Sequence, residues 1–319
     1  MADIAAARAA AAKPGVDERA RGLRRRRLQL IPSIISTLPM AATAIGVFII
    51  CIIFTIIWSF TNSKLFPTFN FVGLDQYERL WATPKWQVSV SNVWVFGVVS
   101  MAGNLVFGYL LAVFMDQRIR QEDLFRTIFL YPVALSGVVT GLVWQWMMDP
   151  NLGIQEAVRN MGWTNFQFAP LVQPETALYG MVVAGIWGGV GVTMAILLAG
   201  LRGVDTEVWK AAKVDGIPAW RTYLFIALPM MKGAVITAVI LQAVGVIRVF
   251  DLVIAMTGGG PGIATQMPAV YVVQAINTRA VGQGMAAATM MLLPVALIIA
   301  VQFVFRWRAK LRAERLATR

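Results

Sequence analysis

Histidine is absent from this 319-residue sequence, and cysteine occurs once, as Cys51 inside an apolar run. One thiol cannot build a disulfide framework, and a zinc site of the His/Cys type is excluded with it. The commonest general base of enzyme active sites is missing too, which weighs against catalysis. Charge is scarce: Asp, Glu, Lys and Arg make up 14% of the chain, against about 25% in soluble domains. Apolar residues take their place at 58%, where soluble domains hold about 45–50%. A water-soluble core of this size cannot hide that much apolar side chain. Lipid must be the main solvent.

Crossing about 30 Å of hydrocarbon takes about 20 apolar residues in a helix. Six stretches qualify: 37–60, 93–115, 127–148, 177–200, 233–256 and 285–305. Each reads as a helix, because an isolated strand leaves its backbone unsatisfied in lipid. The short alternating segments of a barrel are lacking. The expectation is an all-α integral membrane protein with six transmembrane helices in one domain, residues 33–305. An Ala-rich then basic leader, residues 1–32, precedes it, and its composition predicts poor order. A basic tail, residues 306–319, follows. The first apolar stretch is full-length and lacks a small-residue cleavage site after it, so it reads as an anchor.

Placement of Lys and Arg sets the orientation. The N-terminal segment carries eight, the turn 116–126 three, the loop 201–232 five and the tail six. The alternate loops hold only Lys64, Arg79, Lys85, Arg159 and Arg279, and Arg248 falls inside the fifth stretch. This bias predicts that both termini and the basic loops face the cytoplasm. The run Arg24–Arg27 reads as a topology signal, with nucleic-acid or lipid contact as the alternative. The net charge of +12 therefore needs no nucleic acid.

On the opposite face, Trp58, Trp81, Trp86, Trp163 and Tyr179 stand near the span ends, as interfacial anchors do. Gly258, Gly259, Gly260, Pro261 and Gly262 cannot continue a helix, so the fifth span should stop there. On the basic face, the loop 202–232 contains DTEVWKAAKVDGIPAWRTYLFIALP at 205–229. Asp205 is an N-cap residue, Glu207 suits a helix start, and Gly216 with Pro218 ends the helix. Trp209, Ala211 and Ala212 give it a small apolar side. Two readings stand: an amphipathic connector, or a helix whose alanines enter a groove on another protein.

This stretch resembles the EAA loop of ABC-importer permeases, in which Glu-Ala-Ala is followed at fixed spacing by Gly and then by Ile-x-Leu-Pro. Ala211, Ala212, Gly216, Ile226, Leu228 and Pro229 match. FVGLDQY (71–77), RTIFLYPVALSGVVTGLVW (126–144) and FDLVIAMTGGGPG (250–262) extend the resemblance to the carbohydrate branch, nearest to permeases for glucose, mannose and glucosides. The resemblance implies type I ABC-importer permease architecture in a bacterial inner (plasma) membrane. It implies three kinds of partner beside lipid: a second homologous permease, two copies of a cytoplasmic ABC ATPase and a periplasmic sugar-binding protein. ATP and Mg would be bound by the ATPase, with no cofactor on this chain, which lacks the phosphate-cradling G-x-x-x-x-G-K-[ST] loop. The ATPase-coupling residues it points to are Glu207, Lys210, Ala211, Ala212, Asp215 and Gly216. Lys210 departs from the pattern, because the family usually has there the glutamate that pairs with the ATPase. Glu207 and Asp215 are the expected substitutes.

The substrate pathway is expected along two helices. The fourth span contributes Trp187, Gly188, Gly189 and Val192, beside Gly185. Gly185 and Gly189, four apart, equally suit close helix packing. The fifth contributes Gln242, Gly245, Val246 and Val249 at i, i+3, i+4 and i+7, which the resemblance aligns with a sugar-contacting stripe. Arg248 and Asp251 are three apart and read either as an internal ion pair or as groups facing the pathway. Asn104, Trp144, Gln145 and Trp146 are lesser candidates.

Two other classes fit this sequence poorly. An ion-coupled secondary transporter needs acids within the membrane, and the spans offer only Asp251. An intramembrane hydrolase needs a catalytic constellation, and none can be assembled without His, a Cys pair or paired carboxylates. A non-catalytic permease subunit of an ATP-driven sugar importer is the expectation.

Overall fold

The structure, a computed structural model, describes residues 35–66, 68–117 and 119–317. The leader 1–32 and its Arg24–Arg27 run lie outside the described residues. The chain divides into two compact units, residues 1–57 and 58–319. The first unit contains most of α1 (Ile35–Ser59), which includes a π-helical stretch at Ala44–Ile49. The second holds α2 (Asp75–Ala82), α3 (Pro84–Asp116), α4 (Glu122–Ala134), α5 (Gly137–Met147), α6 (Ile154–Asn160) and α7 (Pro174–Arg202). It continues with α8 (Thr206–Val214), α9 (Ala219–Met230), α10 (Lys232–Ile247), α11 (Asp251–Met256), α12 (Pro268–Asn277) and α13 (Val281–Ala317). Among the described residues there is no β-strand, only an isolated bridge between Thr61 and Phe71.

Four helices, α1, α3, α7 and α13, are long and apolar enough to cross a bilayer, and counting two bent pairs as one span each gives six. The expected six spans are met only when each bent pair counts as one. The third span is α4 plus α5, turned by 100°. Its break follows Pro132, which has no N–H to give the turn before it. Leu135 is extended, and Ser136 caps α5 by accepting the Val139 N–H at 3.2 Å. The expected fifth span 233–256 is also interrupted: α10 ends at Ile247 and α11 begins at Asp251. Before it, α9 meets α10 at 74° across Met231. The expected basic tail is helical as far as Ala317, in keeping with the strong helix formers Arg, Ala, Lys, Leu and Glu along 306–317.

The organising pair is α3 against α7. The buried stripe of α3 runs Ser89, Asn92, Phe96, Ser100, Asn104, Gly108, Ala112 and Met115, mostly small or polar, while Val98, Val106, Phe107 and Leu110 are exposed. A helix with large apolar groups outward and small groups inward is built for lipid, where close backbone approach replaces hydrophobic burial. Apolar cores form around each end of this pair. One joins Phe96, Met181, Val182, Leu252, Val253, Met256 and Met267; the other joins Ala112, Met115, Met194, Leu197, Leu201, Ala227 and Met231. The second lies at the Lys/Arg-rich end, called here the basic end.

Gly191 on α7 leaves no room for a side chain: a Cβ there would strike the Phe129 carbonyl of α4. Gly188, one turn earlier, is loose, with Thr140 Cγ2 at 3.9 Å from that position. Gly191→Ala is therefore expected to destabilise the purified protein by about 1–3 kcal/mol, the usual range for overpacking, while Gly188→Ala stays close to wild type. Thermal unfolding in detergent measures both.

Candidate functional site

The expected helix in the basic loop is present as α8. Asp205 caps it, its carboxylate accepting the Glu207 N–H at 3.0 Å. Its other end closes in a Schellman arrangement: the Ile217 N–H donates to Ala212 O at 3.0 Å and the Gly216 N–H to Lys213 O at 3.3 Å. Gly216 has φ +67°, a left-handed conformation that suits glycine. Asp215 is the C-cap residue.

Which side of α8 is free differs from the sequence expectation. Ala212 is buried within its own chain and cannot enter a partner's groove. Glu207, Lys210 and Ala211 are exposed, and so is Val214, at 85%, which the sequence reasoning passed over. Lys210 Nζ donates to Glu207 Oε1 at 2.9 Å, with both side chains about 70% exposed. An ion pair so open to water contributes less than about 1 kcal/mol, so a partner's charge can replace either half.

The back of α8 is tied to the spans. Trp209 packs on Tyr223 of α9 with ring centroids 4.9 Å apart. Arg202, at the end of α7, donates to Glu122 Oε1 at 2.8 Å and to the Met115 carbonyl at 3.4 Å. Beside these contacts lies a cavity of about 640 Å³, lined among others by Asp116, Glu122, Arg202, Thr206 and Trp209.

The expected pathway residues are dispersed. Phe96 and Asn104 of α3 cover Gly185 and Gly189 of α7, so these glycines serve packing. Trp187 is half-buried with its ring centroid 6.0 Å from that of Trp144 on α5, and Val192 is exposed. On α10, Gly245 is open, but Val246 points at Gly97 of α3. Val249 lies beyond the helix end and packs with Val246 on the Phe96 core. The four-residue stripe is thus cut at Ile247.

No ion pair joins Arg248 and Asp251 among the described residues. The helix breaks between them, removing the i, i+3 geometry that a continuous span would supply. Both are exposed. Asp251 begins α11 and sits against Gly137 at the start of α5, its Cβ 2.9 Å from where a Cβ of Gly137 would stand.

Gln242 stands apart. Both polar atoms of its amide are buried without a hydrogen-bond partner, as are Asn104 Oδ1 and Trp144 Nε1. A buried amide left unpaired costs about 1–3 kcal/mol, so such a group needs a water or a solute hydroxyl to satisfy it. At the end opposite the basic one, a cavity of about 300 Å³ is lined by Gln145, Met148, Asp149, Leu171, Thr257 and Gly260, among others. Of the expected pathway residues and the lesser candidates, only Gln145 lines either cavity. The loop over the second cavity turns through Gly258 and Gly259 at positive φ and is pinned to α3 by Asn92, which donates to the carbonyls of Ala264 (2.8 Å) and Gln266 (3.0 Å).

Residues 9–311 match the family of binding-protein-dependent transport system inner membrane components. The chain belongs to this family. It is 33% identical to a probable ABC transporter permease of Pyrococcus horikoshii over 292 residues, 89% of this chain and 98% of the relative. It is also 28% identical to the trehalose/maltose transport system permease of Thermococcus litoralis, over 70% of this chain and 76% of that one. The glucose import system permease of Saccharolobus solfataricus is 27% identical over 78% and 87% of the two chains. The fold matches a chain in the crystal structure of a bacterial ABC transporter that imports the acidic polysaccharide alginate. That match has a TM-score of 0.72 at 16% identity and covers 91% of this chain and 98% of the other. An inner-membrane permease subunit therefore carries α8 on its basic end.

Gly216→Ala is expected to strain the cap of α8 by about 1–2 kcal/mol. Amide exchange over 206–214 should speed up about tenfold while the α3 and α7 amides stay protected. Hydrogen-exchange mass spectrometry checks both.

Proposed function

We propose that this permease subunit forms half of a sugar translocation pathway and receives its energy at α8 from a separate cytoplasmic ATPase. The observation that carries the reading is the construction of α8. It is capped at both ends, fixed at its back by Trp209 and Ala212, and offers Glu207, Lys210, Ala211 and Val214 outward. A helix so held can pass on a push. The charge bias supports placing this end, and both termini, in the cytoplasm.

On this reading Ala211 and Val214 supply the apolar contact. Glu207 and Asp215 supply the acidic charge that Lys210 does not, with Glu207 leaving Lys210 for a basic group of the ATPase. Two ATPase copies, which bind the ATP and Mg, a second permease and a periplasmic sugar-binding protein complete the importer. A carbohydrate solute is supported by the names of the relatives, which transport trehalose/maltose and glucose. The related alginate importer was crystallised with its pentasaccharide-bound periplasmic protein. Among the described residues Gln242 is the side chain best suited to a sugar hydroxyl, because both polar atoms of its amide are buried without a partner there.

Reconstitution in proteoliposomes tests the assignment. Uptake of labelled glucose or maltose should require the ATPase, ATP and the binding protein, and should ignore a proton gradient; uptake by this chain alone would overturn it. Gln242→Leu tests the solute contact. Removing an unpaired buried amide should raise the unfolding temperature, while import falls as the hydroxyl contact is lost. A variant with unchanged import excludes Gln242 from the pathway.

A further inference from the structure

Tyr223 gathers more contacts between separate elements than the coupling reading requires. It lies in the π-helical turn Thr222–Ala227 of α9, not on the exposed face of α8. Its ring packs on Trp209 of α8. Its hydroxyl donates to Asp116 Oδ2 at 2.8 Å and accepts from Gln117 Nε2 at 2.8 Å. Its carbonyl accepts two donors, the Leu228 N–H that closes the π turn and the Tyr109 hydroxyl at 2.7 Å. Tyr109 and Asp116 lie two turns apart on α3, and Gln117 is the C-cap residue of that helix. One residue thus grips the end of a transmembrane helix at three points and the loop helix at a fourth.

The chemistry favours a stiff joint. A phenol bonded to a carboxylate is a charge-assisted hydrogen bond, stronger and more directional than a neutral one. The aromatic pair resists sliding, because two packed rings move together more readily than they separate. The π turn comes just before Pro229, which has no N–H to give the preceding turn. The local helix is wound wider there, and its Tyr223 carbonyl is held by α3 as well as by its own turn. Near this hub, α8 meets the spans also through Ala212 and Val208, but those contacts are apolar and carry no direction.

We propose that Tyr223 is the positioning residue that transmits movement of α8 to the basic end of α3, through Trp209 on one side and Asp116, Gln117 and Tyr109 on the other. This rests on the reading of α8 as the ATPase-docking helix. If an ATPase displaces α8, Trp209 carries the Tyr223 ring with it, and the hydroxyl draws on Asp116. Helix α3 then shifts, and α7 with it, since the two share the contacts at Gly185, Gly189 and Gly108. The stroke reaches the spans as one body.

The test uses the assembled importer, wild type and Tyr223→Phe, with and without a non-hydrolysable ATP analogue. In the wild type the analogue should change amide exchange both over 206–214 and over 109–117. In Tyr223→Phe the change over 206–214 should persist and that over 109–117 should vanish, with labelled glucose or maltose imported per ATP falling about tenfold, the scale of one hydrogen bond to a charged group. Asp116→Asn keeps an acceptor and should lose less than Asp116→Ala, which distinguishes transmission from a general loss of fold. Tyr223→Phe that retains both exchange changes and wild-type import per ATP overturns the proposal. Loss of the ATPase from the purified wild-type complex, or no change over 206–214 in it, overturns the docking reading on which the proposal stands.

Discussion

Everything in this permease hangs on the close approach of α3 and α7 across small residues. Phe96 fills the space over Gly185, Asn104 that over Gly189, and Thr193 that over Gly108. In lipid, leaving the solvent gains a side chain little, so helices hold together by fit and by shared polar contacts. The fit here is tight enough that a Cβ at Gly103 would collide with Ile186. With α7 locked to α3, its other side can receive α4 at Gly191 and α5 at Trp187 and Gly188. Helix α8 starts four residues after α7 ends, so its exposed face inherits its position from the same contact.

The broken spans follow a different logic. Continuous helices satisfy their own backbone, whereas a break exposes N–H and C=O groups that lipid cannot satisfy. Here two breaks face each other. Helices α5 and α11 run side by side, with Gly141 close to Ala255 and the Leu252 carbonyl, and Gly137 beside Asp251. The carboxylate of Asp251 in the first turn of α11 suits the free N–H groups there. Arg248 remains exposed at the adjoining end of α10. Among the described residues neither Arg248 nor Asp251 has an ion-pair partner, and irregular backbone at membrane depth is tolerated only against protein or water.

These distinctions were unequally legible in the sequence. Asp205, Gly216 and Pro218 located α8 to within a residue, because capping is local chemistry. Hydropathy marked the four long helices and the apolar stretches 127–148 and 233–256, but it could not show that these two are interrupted, since Leu135 and Phe250 are as apolar as their neighbours. Reading Arg248 and Asp251 as an i, i+3 pair assumed a helix that does not run between them. Ala212 was misjudged for a related reason: a small residue allows close approach, but to which neighbour depends on tertiary packing. Tyr223 gave no signal because its importance comes from residues over a hundred positions away in the chain.

Lys210 gains a clearer meaning from this frame. The resemblance to the EAA loop implies an acid at this position, facing an ATPase; here a lysine occupies it and holds Glu207 at 2.9 Å. The pair leaves this end of α8 without a net charge, and its apolar contact falls to Ala211 and Val214. If a partner docks on this face, as proposed, docking depends on shape first and on charge second, because the partner must part the exposed pair before using either half. Little free energy opposes that exchange at such exposure. On the proposed coupling, strength would come from behind the face, where Trp209, Tyr223 and Asp116 hold the helix to α3.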